Sequence, residues 1–185
     1  MVDIRPLTPD CLEAVVKLIV GYATTEIYVV TKQETAVSTT LSLQLHPLEQ
    51  PRIVRYTVTE EMIATYRCVL EEGTSLGAFV GPELVGFALA EAHAWNRAFW
   101  VWEFHVAATY QGQGIGRALM ERLVLAGQQA GMRTIVCETQ NTNVPAIRFY
   151  RALGFAVEGI DVSYYTNEDM EPGGEVAVFM KRRLE

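Results

Sequence analysis

Basic residues are in short supply in this sequence, and the shortage excludes a broad class of partners. The 185-residue chain carries 15 lysine and arginine residues against 22 aspartate and glutamate residues, for a formal net charge of -7. Proteins that bind nucleic acid usually present a basic excess or stripe to its phosphates, whereas the compact basic run here is limited to Lys181–Arg183. We therefore expect no nucleic-acid partner, and a cationic small molecule suits the acidic balance better.

Cysteines and long apolar runs are also scarce. The three cysteines, Cys11, Cys68 and Cys137, are far apart and form no C-x-x-C pair, so we expect neither a disulfide framework nor a metal site. The most apolar early run, residues 14–20, is interrupted by Lys17, and no basic-then-apolar secretory pattern precedes it. We therefore expect a cytoplasmic protein with no membrane span.

Apolar periodicity predicts short strands separated by amphipathic helices. A strand ending at Val106, a helix over Ile115–Gln129 and a strand over Arg133–Glu138 form one crossover, which places its two strands parallel. The remaining strands follow one another in hairpin spacing. The predicted fold is α+β, a mixed and mostly antiparallel sheet with helices on its faces, in a single domain over residues 1–185 because the length suits one core.

An additional hairpin is predicted in the segment of about residues 22–58. Apolar residues alternate over 27–31 and again over 37–45, with a polar turn at 32–35 between them. His46-Pro47 is predicted to end the second strand. Because this hairpin has an uncovered edge, we expect the segment to contain determinants of substrate choice or the contacts of a homodimer.

Glycines are concentrated between the strand that ends at Val106 and the helix over Ile115–Gln129. The stretch is Gln111-Gly112-Gln113-Gly114-Ile115-Gly116-Arg117. Glycines let backbone N–H groups approach a ligand closely, and the first N–H groups of a helix have no intrahelical acceptor. This pattern favours an anion cradle that binds phosphate; a glycine-rich connection without a ligand is the alternative.

Two familiar phosphate-binding motifs do not fit this stretch. Arg117-Ala118 follows Gly116, so the lysine and the hydroxyl of a P-loop are missing. The spacing G-x-G-x-G departs from the G-x-G-x-x-G of dinucleotide-binding folds, although Glu138 lies about where a ribose-binding acid is sought. The antiparallel strands before the loop count against that fold, which stays an alternative.

Two segments resemble the motifs of the GNAT N-acetyltransferases. Val106–Met120 resembles their acetyl-CoA motif, Q/R-x-x-G-x-G/A, and Asn143–Phe155 resembles their second motif, N-x-x-A-x-x-x-Y-x-x-x-G-F. Glu138–Ala146 and Asp161–Phe179 are further similar to streptothricin acetyltransferases. The resemblance implies an enzyme that moves acetyl from acetyl-CoA directly to a primary amine without a metal, with a cationic antibiotic such as streptothricin as the favoured acceptor. Polyamines, protein amino termini and non-catalytic binding of acyl-CoA are the alternatives.

The same resemblance assigns roles to individual residues. A backbone N–H near Val106, where the paired strands would splay apart, would stabilise the carbonyl oxygen of the thioester. Tyr150 would protonate the departing thiolate, and packing against the core is its alternative role. Asn143 would cap its helix and touch the pantetheine arm. The pyrophosphate of coenzyme A would be held by the amides of Gln111, Gly112, Gln113, Gly114, Ile115 and Gly116, with Arg117 adding charge.

A cationic amine must lose a proton before it attacks, and two glutamates are candidate bases. Glu103 interrupts an otherwise aromatic and apolar strand, and Glu138 ends the following strand. We place Glu103 first because it lies inside its strand, beside the expected thioester site. Either carboxylate could instead bind a cationic substrate.

Period-two alternation assigns the neighbours of Glu103 to the two faces of their strand. His105 is expected on the same face as Glu103, as a proton relay or a hydrogen-bonded core histidine. Trp100, Trp102 and Phe104 are expected on the opposite face, where they would anchor the core.

Overall fold

The computed structural model describes residues 2–184, and within them the chain forms two compact units. The first unit comprises residues 2–20, 56–137 and 182–184, and the second comprises residues 21–55 and 138–181. The predicted fold class is confirmed, since a mixed and mostly antiparallel sheet is flanked by helices. The single domain over residues 1–185 stays a prediction.

The strands are β1 (Val2–Pro6), β2 (Tyr22–Glu34), β3 (Thr39–Val54), β4 (Leu76–Val80), β5 (Glu83–His93), β6 (Ala98–Val106), β7 (Thr134–Gln140), β8 (Ala156–Asp161) and β9 (Ala177–Arg183). The α-helices are α1 (Leu12–Leu18), α2 (Glu60–Glu71), α3 (Ile115–Gln129) and α4 (Val144–Ala152). The bounds of α3 agree with those predicted from the sequence.

The first unit contains the strand order β1-β4-β5-β6-β7. Neighbouring strands are antiparallel from β1 to β6, whereas Ala98–Val101 of β6 pair in parallel with Thr134–Cys137 of β7. Helix α3 connects these two strands, so the predicted parallel crossover is confirmed.

Helices cover both faces of this part of the sheet. Phe87 and Leu89 belong to the buried cluster that α1 and α2 form with it. The register pairs Phe99 with Ala92, and side chains alternate between faces along β5, so Phe99 lies on the other face. There it contacts α3, where a Cβ added at Gly127 would come within 3.2 Å of the Phe99 ring.

A β-bulge in β6 changes which side chains share a face. The register passes from Leu89 opposite Glu103 to Ala90 opposite Val101, so Trp102 is the extra residue. Across the bulge the alternation shifts by one residue.

The expectation that three aromatic residues of β6 share one core-facing side is therefore wrong. Trp100 pairs with Glu91 and lies on the same face as Glu103, whereas Phe104 pairs with Ala88 and lies on the opposite face. Trp102 is 43% exposed instead of buried.

The second unit contains the predicted hairpin, which is longer than expected. β2 and β3 pair from Tyr22 opposite Val54 to Glu34 opposite Thr39. Pro47 does not end β3, because it pairs with Glu26 in a two-stranded sheet whose edges tolerate proline. β8 and β9 form the second antiparallel pair of this unit.

Asn141 joins three segments of the second unit. Its carbonyl accepts from Tyr28 N–H at 3.0 Å, and its side-chain Nδ2 donates to the Tyr28 carbonyl at 2.7 Å. Its N–H donates to the Val176 carbonyl, and its Oδ1 accepts from Val176 N–H, both at 2.8 Å. Because Asn141 is only 7% exposed, these bonds replace the water that its polar groups lose.

We expect Asn141→Ala to lower the free energy of unfolding by about 2–3 kcal/mol, because it leaves the buried Tyr28 carbonyl and Val176 N–H without their partners. Denaturant-induced unfolding checks this. Asn167→Ala is the matched control, since Asn167 is exposed in the same unit, and it should change the free energy by less than about 0.5 kcal/mol. Equal effects of the two substitutions would contradict the assigned role of Asn141.

Candidate active site

The end of β6 presents a backbone N–H on the side where its pairing with β7 has ended. The parallel ladder stops at Val101 and Cys137, although β6 continues to Val106. Ala107 N–H donates to the Val85 carbonyl of β5 at 2.9 Å. Since alternate N–H groups of an antiparallel strand point to opposite sides, the N–H of Val106 points away from β5.

The glycine-rich loop after β6 adopts the conformation that its sequence predicts. Ala108–Tyr110 form a single 3₁₀ turn, and Gly112 and Gly114 follow with φ angles of 73° and 83°. These left-handed conformations favour glycine over other residues. A Cβ added at either position would meet no atom within 4 Å, so the loop leaves open space where a ligand can approach its backbone.

Two glutamine side chains cover carbonyl groups of this region. Gln111 Nε2 donates to the Val106 carbonyl at 3.0 Å, and Gln113 Nε2 donates to the Thr109 carbonyl at 2.9 Å. The side chains are therefore folded back onto acceptors of the loop.

Helix α3 begins directly after the loop, with Gly114 as its N-cap residue. Ala118 N–H donates to the Gly114 carbonyl at 3.0 Å, and the three N–H groups before it in the helix have no intrahelical acceptor. They coincide with the positive end of the helix dipole, an arrangement that suits phosphate. Arg117 lies in this first turn, and its guanidinium is 3.6 Å from the Glu121 carboxylate on the surface.

Both carboxylate oxygens of Glu103 have a side-chain partner. The hydroxyl of Tyr66 on α2 donates to Oε1 at 2.5 Å, and Nε2 of His105 lies 2.8 Å from Oε2. The side chains of Glu103 and His105 are 20% and 15% exposed. The predicted placement of Glu103 and His105 on one face is thus confirmed, and the two side chains are in contact.

The surroundings of this cluster keep the Tyr66 hydroxyl protonated. Burial, followed by the negative charge of Glu103 and the hydrogen bond to it, raises the pKa of Tyr66 far above its usual value. The ring of His105 stacks on Phe87, with centroids 5.4 Å apart, and meets Tyr56 edge-on. Tyr66 therefore remains a hydrogen-bond donor to Glu103 at neutral pH.

Glu138 lies in the second unit, on the part of β7 that follows Cys137. β7 continues to Gln140, so Glu138 does not end its strand as expected. The hydroxyl of Tyr165 donates to Glu138 Oε1. Burial, followed by the charge of Glu138, raises the pKa of Tyr165.

The second motif forms α4 and the turn before it. Oδ1 of Asn143 accepts from Ala146 N–H at 3.2 Å, so the expected cap is confirmed. Tyr150 is 6% exposed, and its ring centroid is 5.5 Å from that of Phe149 and also from that of Phe155. The ring of Tyr150 is thus packed against its aromatic neighbours in the core.

The predicted site residues are distributed over both units. Glu103, Val106 and residues 111–117 belong to the first unit, whereas Glu138, Asn143 and Tyr150 belong to the second. Sequence reasoning missed Tyr66 and Tyr165 as partners of the two glutamates. Tyr66 is a buried residue of α2, and the apolar periodicity of a helix carries no signal for a contact with a residue 37 positions away.

Residues 2–184 contain neither a metal-binding cluster nor a membrane-spanning helix. No group of three or more histidine, cysteine, aspartate and glutamate side chains in this range is arranged to hold a metal ion. No helix in the same range is long and apolar enough to span a membrane.

Comparison with known proteins identifies relatives of the chain. The model of the acetyltransferase (GNAT) family matches residues 42–155. The streptothricin acetyltransferase of Streptomyces lavendulae is 37% identical over 98 residues, which are 53% of this chain and 51% of that protein. The ribosomal protein bS18 alanine N-acetyltransferase of Escherichia coli (strain K12) is 34% identical over 111 residues, 60% of this chain and 66% of that protein. The chain thus spans about half to two thirds of the length of these curated relatives.

Solved structures resemble this chain over nearly its whole length. The crystal structure of a nourseothricin acetyltransferase has a TM-score of 0.80 at 26% identity, and the match covers 100% of this chain and 99% of that one. A protein from Bacillus anthracis str. Ames, crystallised in complex with acetyl coenzyme A, has a TM-score of 0.78 at 20% identity, with 99% of each chain covered. At 20% identity the second likeness shows the fold alone.

Proposed function

The chain belongs to the acetyltransferase (GNAT) family, and we propose that it transfers the acetyl group of acetyl-CoA directly to a primary amine. One observation carries this proposal. The loop of residues 112–114 that opens α3 has open space at its glycines and amides without intrahelical acceptors, at the positions of the family's acetyl-CoA motif. A loop of this kind supports binding of the pyrophosphate of coenzyme A.

The binding of acetyl-CoA involves three parts of the chain. The amides from Gly112 to Gly116 hold the pyrophosphate, since the N–H of Gln111 donates to the Ala108 carbonyl at 3.3 Å, and Arg117 contributes positive charge. The N–H of Val106 donates to the carbonyl oxygen of the thioester as negative charge develops there. Asn143 caps α4 and contacts the pantetheine arm. The match of residues 42–155 to the acetyltransferase (GNAT) family supports acetyl-CoA as the cosubstrate.

Proton transfer accompanies the attack of the amine. Glu103 removes a proton from the ammonium group, so that the neutral amine attacks the thioester carbonyl. As the tetrahedral intermediate collapses, the carbon–sulfur bond breaks and Tyr150 gives its proton to the thiolate, while the attacking nitrogen loses its second proton, which restores the Tyr150 hydroxyl. Glu138 is the alternative base, or it binds a second positive charge of the acceptor.

The acceptor that we propose is a cationic antibiotic of the streptothricin type. The 37% identity to the streptothricin acetyltransferase supports it, and so does the net charge of -7, because an acidic surface attracts polycations. A protein amino terminus is the second candidate, favoured by the 34% identity to the alanine N-acetyltransferase.

Turnover with a panel of amines tests the function. With acetyl-CoA, we expect kcat/KM for streptothricin to exceed that for spermidine and for a peptide that begins with alanine by about 100-fold. Release of the coenzyme A thiol measures turnover, and mass spectrometry of the product locates the acetyl group. A higher kcat/KM for the peptide would identify a protein amino terminus as the acceptor instead of streptothricin. Binding of acetyl-CoA without turnover of any amine would show that the protein is a non-catalytic acyl-CoA-binding module. No binding of acetyl-CoA at hundreds of micromolar in calorimetry would contradict the whole proposal.

Gly114→Ala should weaken acetyl-CoA binding about tenfold, which corresponds to about 1.4 kcal/mol. The added methyl group occupies the open space of the loop and disfavours the φ of 83° at this residue. Gly131→Ala is the matched control, because Gly131 has a φ of 69°, equally open space at its Cβ, and follows the other end of α3. Both variants should lose similar stability, and only Gly114→Ala should change the dissociation constant. Equal dissociation constants would contradict the phosphate-binding role of the loop.

Tyr150→Phe separates the acid role of Tyr150 from its packing role. The substitution keeps the ring against Phe149 and Phe155 and removes only the hydroxyl. We expect kcat to fall about 100-fold, while the dissociation constant of acetyl-CoA changes by less than about threefold. A variant with the kcat of the native enzyme would assign Tyr150 to packing alone.

A further inference from the structure

We propose that Tyr66 is a positioning residue that holds the carboxylate of Glu103 in the orientation needed to accept the proton of the acceptor amine. The inference rests on the proposed function, in which Glu103 is the base. It extends that function to α2, which contains none of the residues assigned above from the family motifs.

The position of Tyr66 is fixed by the core of the first unit. Tyr66 is 3% exposed and belongs to the same buried cluster as Val69, Leu70 and Leu89. A buried tyrosine hydroxyl needs a hydrogen-bond partner, and the partner here is Glu103 Oε1 at 2.5 Å. Because the ring cannot move without disturbing the core, the hydroxyl is a fixed point for the carboxylate.

His105 provides the second point of attachment. Its Nε2 lies 2.8 Å from Oε2 of Glu103, and its ring is held by stacking on Phe87. Partners on both oxygens fix the plane of the carboxylate, so the conformational entropy of ordering it is lost on folding and not during the reaction. An ionised carboxylate has about four lone-pair sites, so acceptor capacity remains for an ammonium group of the substrate.

The contacts of Glu103 that the structure describes come from α2 and β6, and Glu91, two residues from Leu89 on the same face of β5, contacts His93 and Trp102. From α2 the facing group is Tyr66, and from β6 it is His105, whose ring meets that of Tyr56. From β5 the paired residue is Leu89, which is apolar. The raised pKa of Tyr66 keeps its hydroxyl a donor at mildly alkaline pH as well.

The test compares kcat/KM at two pH values. Near pH 7 an alkyl amine is almost fully protonated and needs the base, whereas at about pH 9.5 a substantial fraction is already neutral. We expect Tyr66→Phe to lower kcat/KM about tenfold near pH 7, mainly through kcat, and about twofold near pH 9.5. Glu103→Gln should show the same trend with a larger loss, about 100-fold near pH 7.

Tyr22→Phe is the matched control. Tyr22 also has a partly buried hydroxyl, which hydrogen-bonds Thr142 Oγ1 at 2.7 Å and interacts with Glu175, a glutamate to which no role in proton transfer is assigned. Removal of the Tyr22 hydroxyl should leave kcat/KM close to that of the native enzyme at both pH values. If Tyr66→Phe does not fold, His105→Phe replaces it, because it keeps a ring against Phe87 and removes the contact with Oε2; the same dependence on pH is expected.

The outcomes separate this inference from the function on which it rests. If Tyr66→Phe lowers kcat/KM by the same factor at both pH values, the positioning role alone is overturned. The same conclusion follows if Tyr66→Phe keeps the native kcat/KM while Glu103→Gln loses activity. An active Glu103→Gln would overturn it together with the assignment of the base, and an impaired Glu138→Gln would then identify the other glutamate. Absence of acetyl transfer by the native protein would overturn both the function and the inference.

Discussion

The placement of Glu103 in the first unit depends on one extra residue in β6. The bulge at Trp102 shifts the alternation of the strand, so that Glu103 and His105 lie on the face covered by α2, while Val101 remains opposite Ala90 on the other face. The parallel ladder to β7 ends at the residue before the bulge. A regular strand would turn the carboxylate toward the face that carries Phe99 and α3, away from Tyr66. Bulges commonly re-aim side chains next to functional sites.

The sequence predicted the elements that obey local rules. The bounds of α3, the cap at Asn143 and the parallel crossover follow from apolar periodicity, capping chemistry and the handedness of crossovers, which act over a few residues. The shared face of Glu103 and His105 was also predicted, because both residues lie beyond the bulge and alternation holds between them.

Features that depend on contacts between residues distant in the chain could not be predicted from the sequence. No glycine or proline marks the bulge at Trp102, so the face of Trp100 was assigned wrongly. β3 continues through Pro47 because it belongs to a two-stranded sheet. The conformational preference of the residue before a proline is local and gives no information about that sheet. The contact of Tyr66 with Glu103 depends on how α2 packs on the sheet. Two ordered motifs sufficed to predict the family, whereas the partners of Glu103 could be identified only from the three-dimensional structure.

The side chains of Gln111 and Gln113 determine what the glycine-rich loop offers to its surroundings. Since both amide groups donate to carbonyls at the start of the loop, those acceptors are shielded, and the backbone ahead of α3 offers mainly hydrogen-bond donors. Backbone amides do not titrate near neutral pH, unlike the histidine or lysine of other anion sites. A cradle of backbone dipoles, beside the guanidinium of Arg117 that stays charged, has no group that titrates near neutral pH, so its affinity should follow the ionisation of the anion and not that of the protein.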